Sequence, residues 1–141
     1  MKKLEFSIEI QANKEKVWDT LWNDETYRKW TATFIRGSYI EGELREGKEV
    51  RFLTPGEHGL FGVVEKLVPY KTMYFKHYGE VLDGVSQEKT FGDEGIEYYD
   101  LEEIENGTRL IITLNTVEEY ITYFTNSFPR AMNMIKELAE A

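Results

Sequence analysis

His77 and Glu97 are the residues of this chain whose types and surroundings could do chemistry. His77 follows Met73 and Phe75 at two-residue spacing. On a strand that alternation puts all three on one face. A histidine on an apolar face titrates near neutral pH, so it can act as a general acid or base, or simply satisfy a buried polar neighbour. The same alternation in Glu97-Tyr98-Tyr99-Asp100-Leu101 groups Glu97 with Tyr99 and Leu101. A carboxylate beside an imidazole in an apolar pocket would shift the proton affinity of both. A slip of one residue would instead turn Glu97 to solvent and bring Ile96 and Tyr98 inward, so the spacing leaves the pair open. His58, in Pro55-Gly56-Glu57-His58-Gly59, sits in a turn-forming stretch, where it is expected to be exposed and without a role.

Other chemistries find no residues to carry them. The sequence has no cysteine, which removes disulfides, thiol nucleophiles and thiolate metal sites. It has no Gly-rich phosphate loop, Gly-x-Ser-x-Gly elbow, His-Glu-x-x-His pair or calcium loop. Glu102-Glu103 and Glu118-Glu119 lack histidines at ligand spacing and read as solvated. Neither a metal nor a cofactor is expected, and no residue is assigned as catalytic. Seventeen basic against 26 acidic residues give a net charge of −9, which repels phosphate backbones and anionic lipid, and the basic residues are scattered. Nucleic acid and membrane are therefore not expected as partners. The start, Met1-Lys2-Lys3-Leu4-Glu5-Phe6, has no apolar run of a signal peptide, and no segment approaches the ~20 apolar residues of a membrane span. The expectation is a cytoplasmic protein that is not exported.

The elements that must position His77 and Glu97 follow from periodicity. Leu4, Phe6, Ile8 and Ile10 alternate with Glu5, Ser7 and Glu9, the pattern of a half-buried strand. Asn13 can cap a helix over Lys14–Leu21 in which Val17, Trp18 and Leu21 share a face, and Asn23 or Asp24 can cap a second short turn through Tyr27 and Trp30. From Ser38 to Asn115 strand-like runs are separated by turn residues, which predicts about six further strands in an antiparallel meander. Asn106-Gly107 is read as a type I′ hairpin turn, and Val81–Gly95, with three glycines and no period, as a long loop or lid. Over Glu118–Ala139 the stripe Ile121, Phe124, Phe128, Met132, Ile135 and Leu138 predicts a long amphipathic helix, kinked or restarted at Pro129. With 41% apolar residues in 141, the chain reads as one α+β domain over 1–141, its last helix packed across a curved antiparallel sheet.

Several segments carry a family resemblance. They are Ile8–Leu21 followed by Trp30; Pro69 opening Met73-Tyr74-Phe75; Asn106-Gly107-Thr108-Arg109-Leu110; and Phe128-Pro129 ahead of Ile135-Lys136-Glu137-Leu138. Together they resemble the START-like (SRPBCC) helix-grip superfamily, in particular the branch related to the C-terminal domain of the activator of Hsp90 ATPase. The resemblance implies a helix-grip fold with a hydrophobic cavity between sheet and last helix, and it raises a stress-related chaperone as a partner. A separate N-terminal domain of a full co-chaperone is not found in this sequence. Phe128 stands where this branch commonly has tryptophan, and His77 where it commonly has an aromatic, which implies a more polar cavity end.

In that fold Trp30, Phe34, Phe52, Phe75, His77, Tyr99, Phe124, Phe128 and Met132 would converge, and they are the expected ligand-binding residues. The reading is a module that binds a small hydrophobic or aromatic molecule, as a monomer or weak dimer. A cyclase- or hydrolase-type enzyme using His77 as acid/base, and the chaperone partner, stand as alternatives.

Overall fold

The computed structural model describes all residues, Met1–Ala141. The chain runs β1 (Lys2–Ile10), α1 (Lys14–Trp22), α2 (Asp24–Thr31), β2 (Tyr39–Glu41), β3 (Glu49–Thr54), β4 (His58–Val68), β5 (Thr72–Leu82), β6 (Val85–Ser86), β7 (Ile96–Ile104), β8 (Gly107–Thr116) and α3 (Ile121–Glu140). Seven strands follow β1, one more than the turn residues predict. The sheet order is β1-β8-β7-β5-β4-β3-β2, with every pair antiparallel and β6 paired to the far end of β5. The sheet is curved and does not close, and α3 lies across it: an α+β helix-grip fold. No helix is long and apolar enough to cross a membrane.

Local chemistry explains the helices. Asn13 starts α1, its side chain accepting the Lys16 N–H at 2.8 Å, and Asn23 starts α2 by accepting the Glu25 N–H at 3.1 Å. In α2, acidic residues in the first turn and basic ones in the last complement the helix dipole. Pro129 lies within α3 without ending it, so the expected restart does not occur. Its missing N–H is tolerated because tertiary packing holds the flanking turns, with Phe128, Ala131, Met132 and Ile135 all buried against the sheet.

Two turns differ from the sequence reading. Ile104 pairs with Gly107, so the β7–β8 turn is Glu105-Asn106, and of these two only Asn106 has positive φ, at 68°. That is not a type I′ turn, which needs positive φ at both positions. Gly107 is required for another reason: a Cβ there would lie 2.1 Å from the Ile10 carbonyl oxygen. The expected lid also proves to be something else. Val81 and Leu82 end β5, Val85 and Ser86 pair back onto them, and the chain continues along the edge of β5 that β7 leaves free. The Gln87 N–H donates to the Glu80 carbonyl at 2.8 Å and the Phe91 N–H to Tyr78 at 3.1 Å. Backbone bonding to an edge makes no demand on side-chain period, so nothing in the sequence pattern shows it.

Candidate functional site

The site begins with a β-bulge. Phe61 pairs with Gly79 and Gly62 with His77, which leaves Tyr78 as an extra residue on β5. Up to His77 the alternation keeps Met73, Phe75 and His77 on the concave face. Beyond Tyr78 it is reversed, and the register puts Gly79 and Val81 on the other face, where Val81 packs with Leu53 and Phe61 in a separate small core. The neighbouring strands approach His77 closely on both sides. A Cβ at Gly62 would lie 2.1 Å from the Lys76 oxygen, and Gly95 accepts the His77 N–H at 2.6 Å.

On β7 the register sets Glu97 opposite Phe75 and Tyr99 opposite Met73, so both face the helix. His77 Nε2 lies 2.9 Å from Glu97 Oε1, and the Tyr99 hydroxyl donates to Glu97 Oε2. One carboxylate thus joins two neighbours. Its side chain keeps 23% of its surface accessible against 8% for His77, so Glu97 is the more open of the pair. Burial pushes the Glu97 carboxyl up, but the hydrogen bond and charge of His77 and the hydrogen bond from Tyr99 outweigh it, and the net direction is below the ordinary value. Burial, then the Glu97 charge and the shared hydrogen bond, push the Tyr99 phenol well up. Burial and the same charge push Tyr27 up. The second ring nitrogen of His77, Nδ1, is buried without a partner.

These groups end a cavity of about 350 Å³ between the sheet, α2 and the first turns of α3. Trp30, Phe34, Phe52, His77, Tyr99, Phe124 and Phe128 line it together with Glu97. Phe75 and Met132 do not: Phe75 lies beneath Phe52 and Trp22, ring centroids 4.9 and 5.5 Å away, and Met132 sits deeper in the main core. Alternation and helical period tell which face a residue takes but not which layer of that face. No residue from Val81 to Gly95 lines the cavity, so that segment is not its mouth. Phe34, Ile35 and Tyr123 stand there, with Ile35 and Tyr123 largely exposed. The sequence reading missed Tyr27, Leu114 and Tyr123. Tyr27 could have been found from its i,i+3 spacing to Trp30, whereas Tyr123 falls off the apolar stripe of α3 and turns toward Phe34, with ring centroids 6.5 Å apart. His58 opens β4, and its half-exposed ring pairs with Asp83 at 3.5 Å, away from the cavity. No cluster of side chains that could hold a metal ion is present.

A curved antiparallel sheet closed over by one long C-terminal helix, with two short helices after the first strand, defines a START-like helix-grip protein. Residues 11–140 match the sequence profile of the activator of Hsp90 ATPase homolog 1-like proteins, and the chain belongs to that family. Its fold is similar to the solution structure of an Aha1 dimer from Colwellia psychrerythraea, with a TM-score of 0.73 at 23% identity, covering 99% of this chain and 97% of that one. A protein from Chromobacterium violaceum aligns with a TM-score of 0.70 at 16% identity over 100% and 99% of the two chains. CalU16 from Micromonospora echinospora aligns with a TM-score of 0.68 at 15% identity over 97% and 75%. At these identities the likenesses speak for the fold alone. No curated protein matches the sequence.

Proposed function

We propose that this protein binds a small hydrophobic or aromatic molecule in the cavity between the sheet and α3. The observation that carries the reading is the lining itself. Eight of its twenty residues are aromatic, and they come from α2, the α2–β2 connection, β3, β7 and α3, around a volume within the roughly 300–1,000 Å³ of small-molecule sites. Neighbouring rings of the lining touch, as Phe34 and Phe128 do with centroids 4.8 Å apart, yet together they leave this volume open, whereas Phe75 beneath them is fully buried.

Acid/base catalysis by His77 has less support, because Nε2 is engaged by Glu97 and Nδ1 is buried. The group best placed to meet a ligand is Glu97. The test is native mass spectrometry of protein purified from its own host, followed by thermal melts against neutral apolar compounds. A retained molecule of defined mass, or a rise in melting temperature with such a compound, is expected, since a ligand that binds only the folded state must stabilise it. Protein that is empty and whose melting temperature no compound moves would overturn the reading.

A further inference from the structure

The hydrogen-bond partners of the cavity wall narrow what it can hold. The side chains that could offer donors to a ligand mostly spend them inside the protein. Trp30 donates its indole N–H to the Leu21 carbonyl at 3.1 Å, Thr31 its hydroxyl to Tyr27 at 2.6 Å, and Ser38 to Ile35 at 2.6 Å. Thr54 donates to the His58 carbonyl at 3.0 Å, Asn115 to Glu94 at 2.9 Å, and Tyr99 to Glu97. What remains are the hydroxyls of Tyr27 and Tyr123, each able to donate or accept, and the open acceptor sites of Glu97. Glu97 has two of about four lone-pair sites taken, by Tyr99 and His77, which leaves two.

Charge points the same way. No lysine or arginine lines the cavity. With a neutral His77 the lining carries one negative charge, and with a protonated His77 it carries none. In neither state does it offer a net positive charge to an anion. A carboxylate or phosphate ligand would enter an apolar space and meet Glu97, a like charge in a medium where repulsion is strong. A cation would meet the carboxylate at one end and the faces of aromatic rings along the wall, both of which attract it.

We propose, on the ligand-binding reading above, that the cavity selects a protonated amine carried on an aromatic or alicyclic body. Glu97 accepts the ammonium hydrogens, and Trp30, Phe34, Phe52 and Phe128 enclose the body. His77 acts here as a positioning residue, holding the carboxylate from behind.

The experiment is calorimetric titration of the protein near neutral pH with three molecules of one skeleton: tryptamine, tryptophol and indoleacetic acid. Tryptamine is expected to bind about tenfold or more tightly than tryptophol, as a charge-assisted bond and a cation–π contact allow, with indoleacetic acid the weakest. In Glu97→Gln, tryptamine should lose that advantage while tryptophol is nearly unaffected. Should the variant fail to fold by circular dichroism, the order of the three on the native protein decides alone. Tryptophol or indoleacetic acid binding as well as tryptamine, or an amine preference that survives Glu97→Gln, overturns the proposal. If none of the three binds while the neutral dye Nile red does, the amine proposal falls and the cavity reading stands; if Nile red also fails, both fall.

Discussion

Removing one hydroxyl tests the geometry around Glu97 directly. Tyr99 is buried, and its hydroxyl donates to a carboxylate that is mostly out of water. Tyr99→Phe keeps the ring and its edge contacts with Trp22 and Trp30, at centroid distances of 4.8 and 6.3 Å, and deletes only the donor. A hydrogen bond to a charged group contributes about 1.5–3 kcal/mol, so the variant should lose about that much stability at neutral pH. For a chain of this length that corresponds to a fall in melting temperature of roughly 5–10 °C. The loss should also depend on pH. The folded Glu97 carboxyl lies below its ordinary value of 4.5, so its contribution is present above that pH and disappears as pH falls through the folded value. The gap between wild type and variant should therefore be widest near neutrality and shrink once Glu97 is protonated. Urea melts of both proteins across the acid range measure it, with Tyr98→Phe as the control. Tyr98 reaches from the other face to exposed Glu65, at 2.9 Å, and its loss should stay within about 0.5 kcal/mol. Equal losses in the two variants, or a gap that does not change with pH, would refute the carboxylate's role in holding this end of the cavity.

Two further outcomes follow from the same strands. Gly62→Ala should destabilise by about 1–3 kcal/mol, because its Cβ would lie 2.1 Å from the Lys76 oxygen and 2.8 Å from the His77 Cα, and the backbone would have to move; an unchanged urea midpoint would show that β4 and β5 do not approach as described. At alkaline pH, burial followed by the hydrogen bond and charge of Glu65 push Tyr98 up to about 12 from its ordinary 10.0, and Tyr74 and Tyr99 move in the same direction. The unfolded chain then loses these protons first, so stability is complete below about pH 10 and falls between about 10 and 12. Denaturant melts across that range measure the fall, and a flat profile would contradict it.

How much of this can be read from the sequence depends on whether a side chain reports its own environment. β1, α1 and α3 each bury one face, so Leu4 to Ile10, Val17 to Leu21, and Phe124 to Ile135 announce themselves by period. The inward side of β5 and β7 is legible too, since Met73, Phe75 and His77, and separately Glu97, Tyr99 and Leu101, alternate as half-buried strands do. The meeting of His77 with Glu97 is not, because cross-strand register depends on partners far along the chain. Depth is equally silent: Phe52 and Phe75 look alike in sequence, yet one lines the cavity and the other supports it. The stretch from Ser86 to Phe91 carries no pattern at all because its backbone, and not its side chains, holds it to β5.

The extra residue at Tyr78 acts on β5 as a frameshift acts on a message. Before it, odd-numbered positions spell the concave side, His77 in the cavity wall and Met73 and Phe75 in the core beneath; after it, they spell the outer seam of Leu53, Phe61 and Val81. A single strand therefore carries two texts that meet without overlapping. Substitutions at 73, 75 and 77 can reshape what the cavity admits while those at 79 and 81 answer only to the seam. Deleting Tyr78 would take out the bulge yet keep both texts in frame, since Gly79 would then follow His77 in ordinary alternation, still opposite Phe61, and Val81 would still meet the seam.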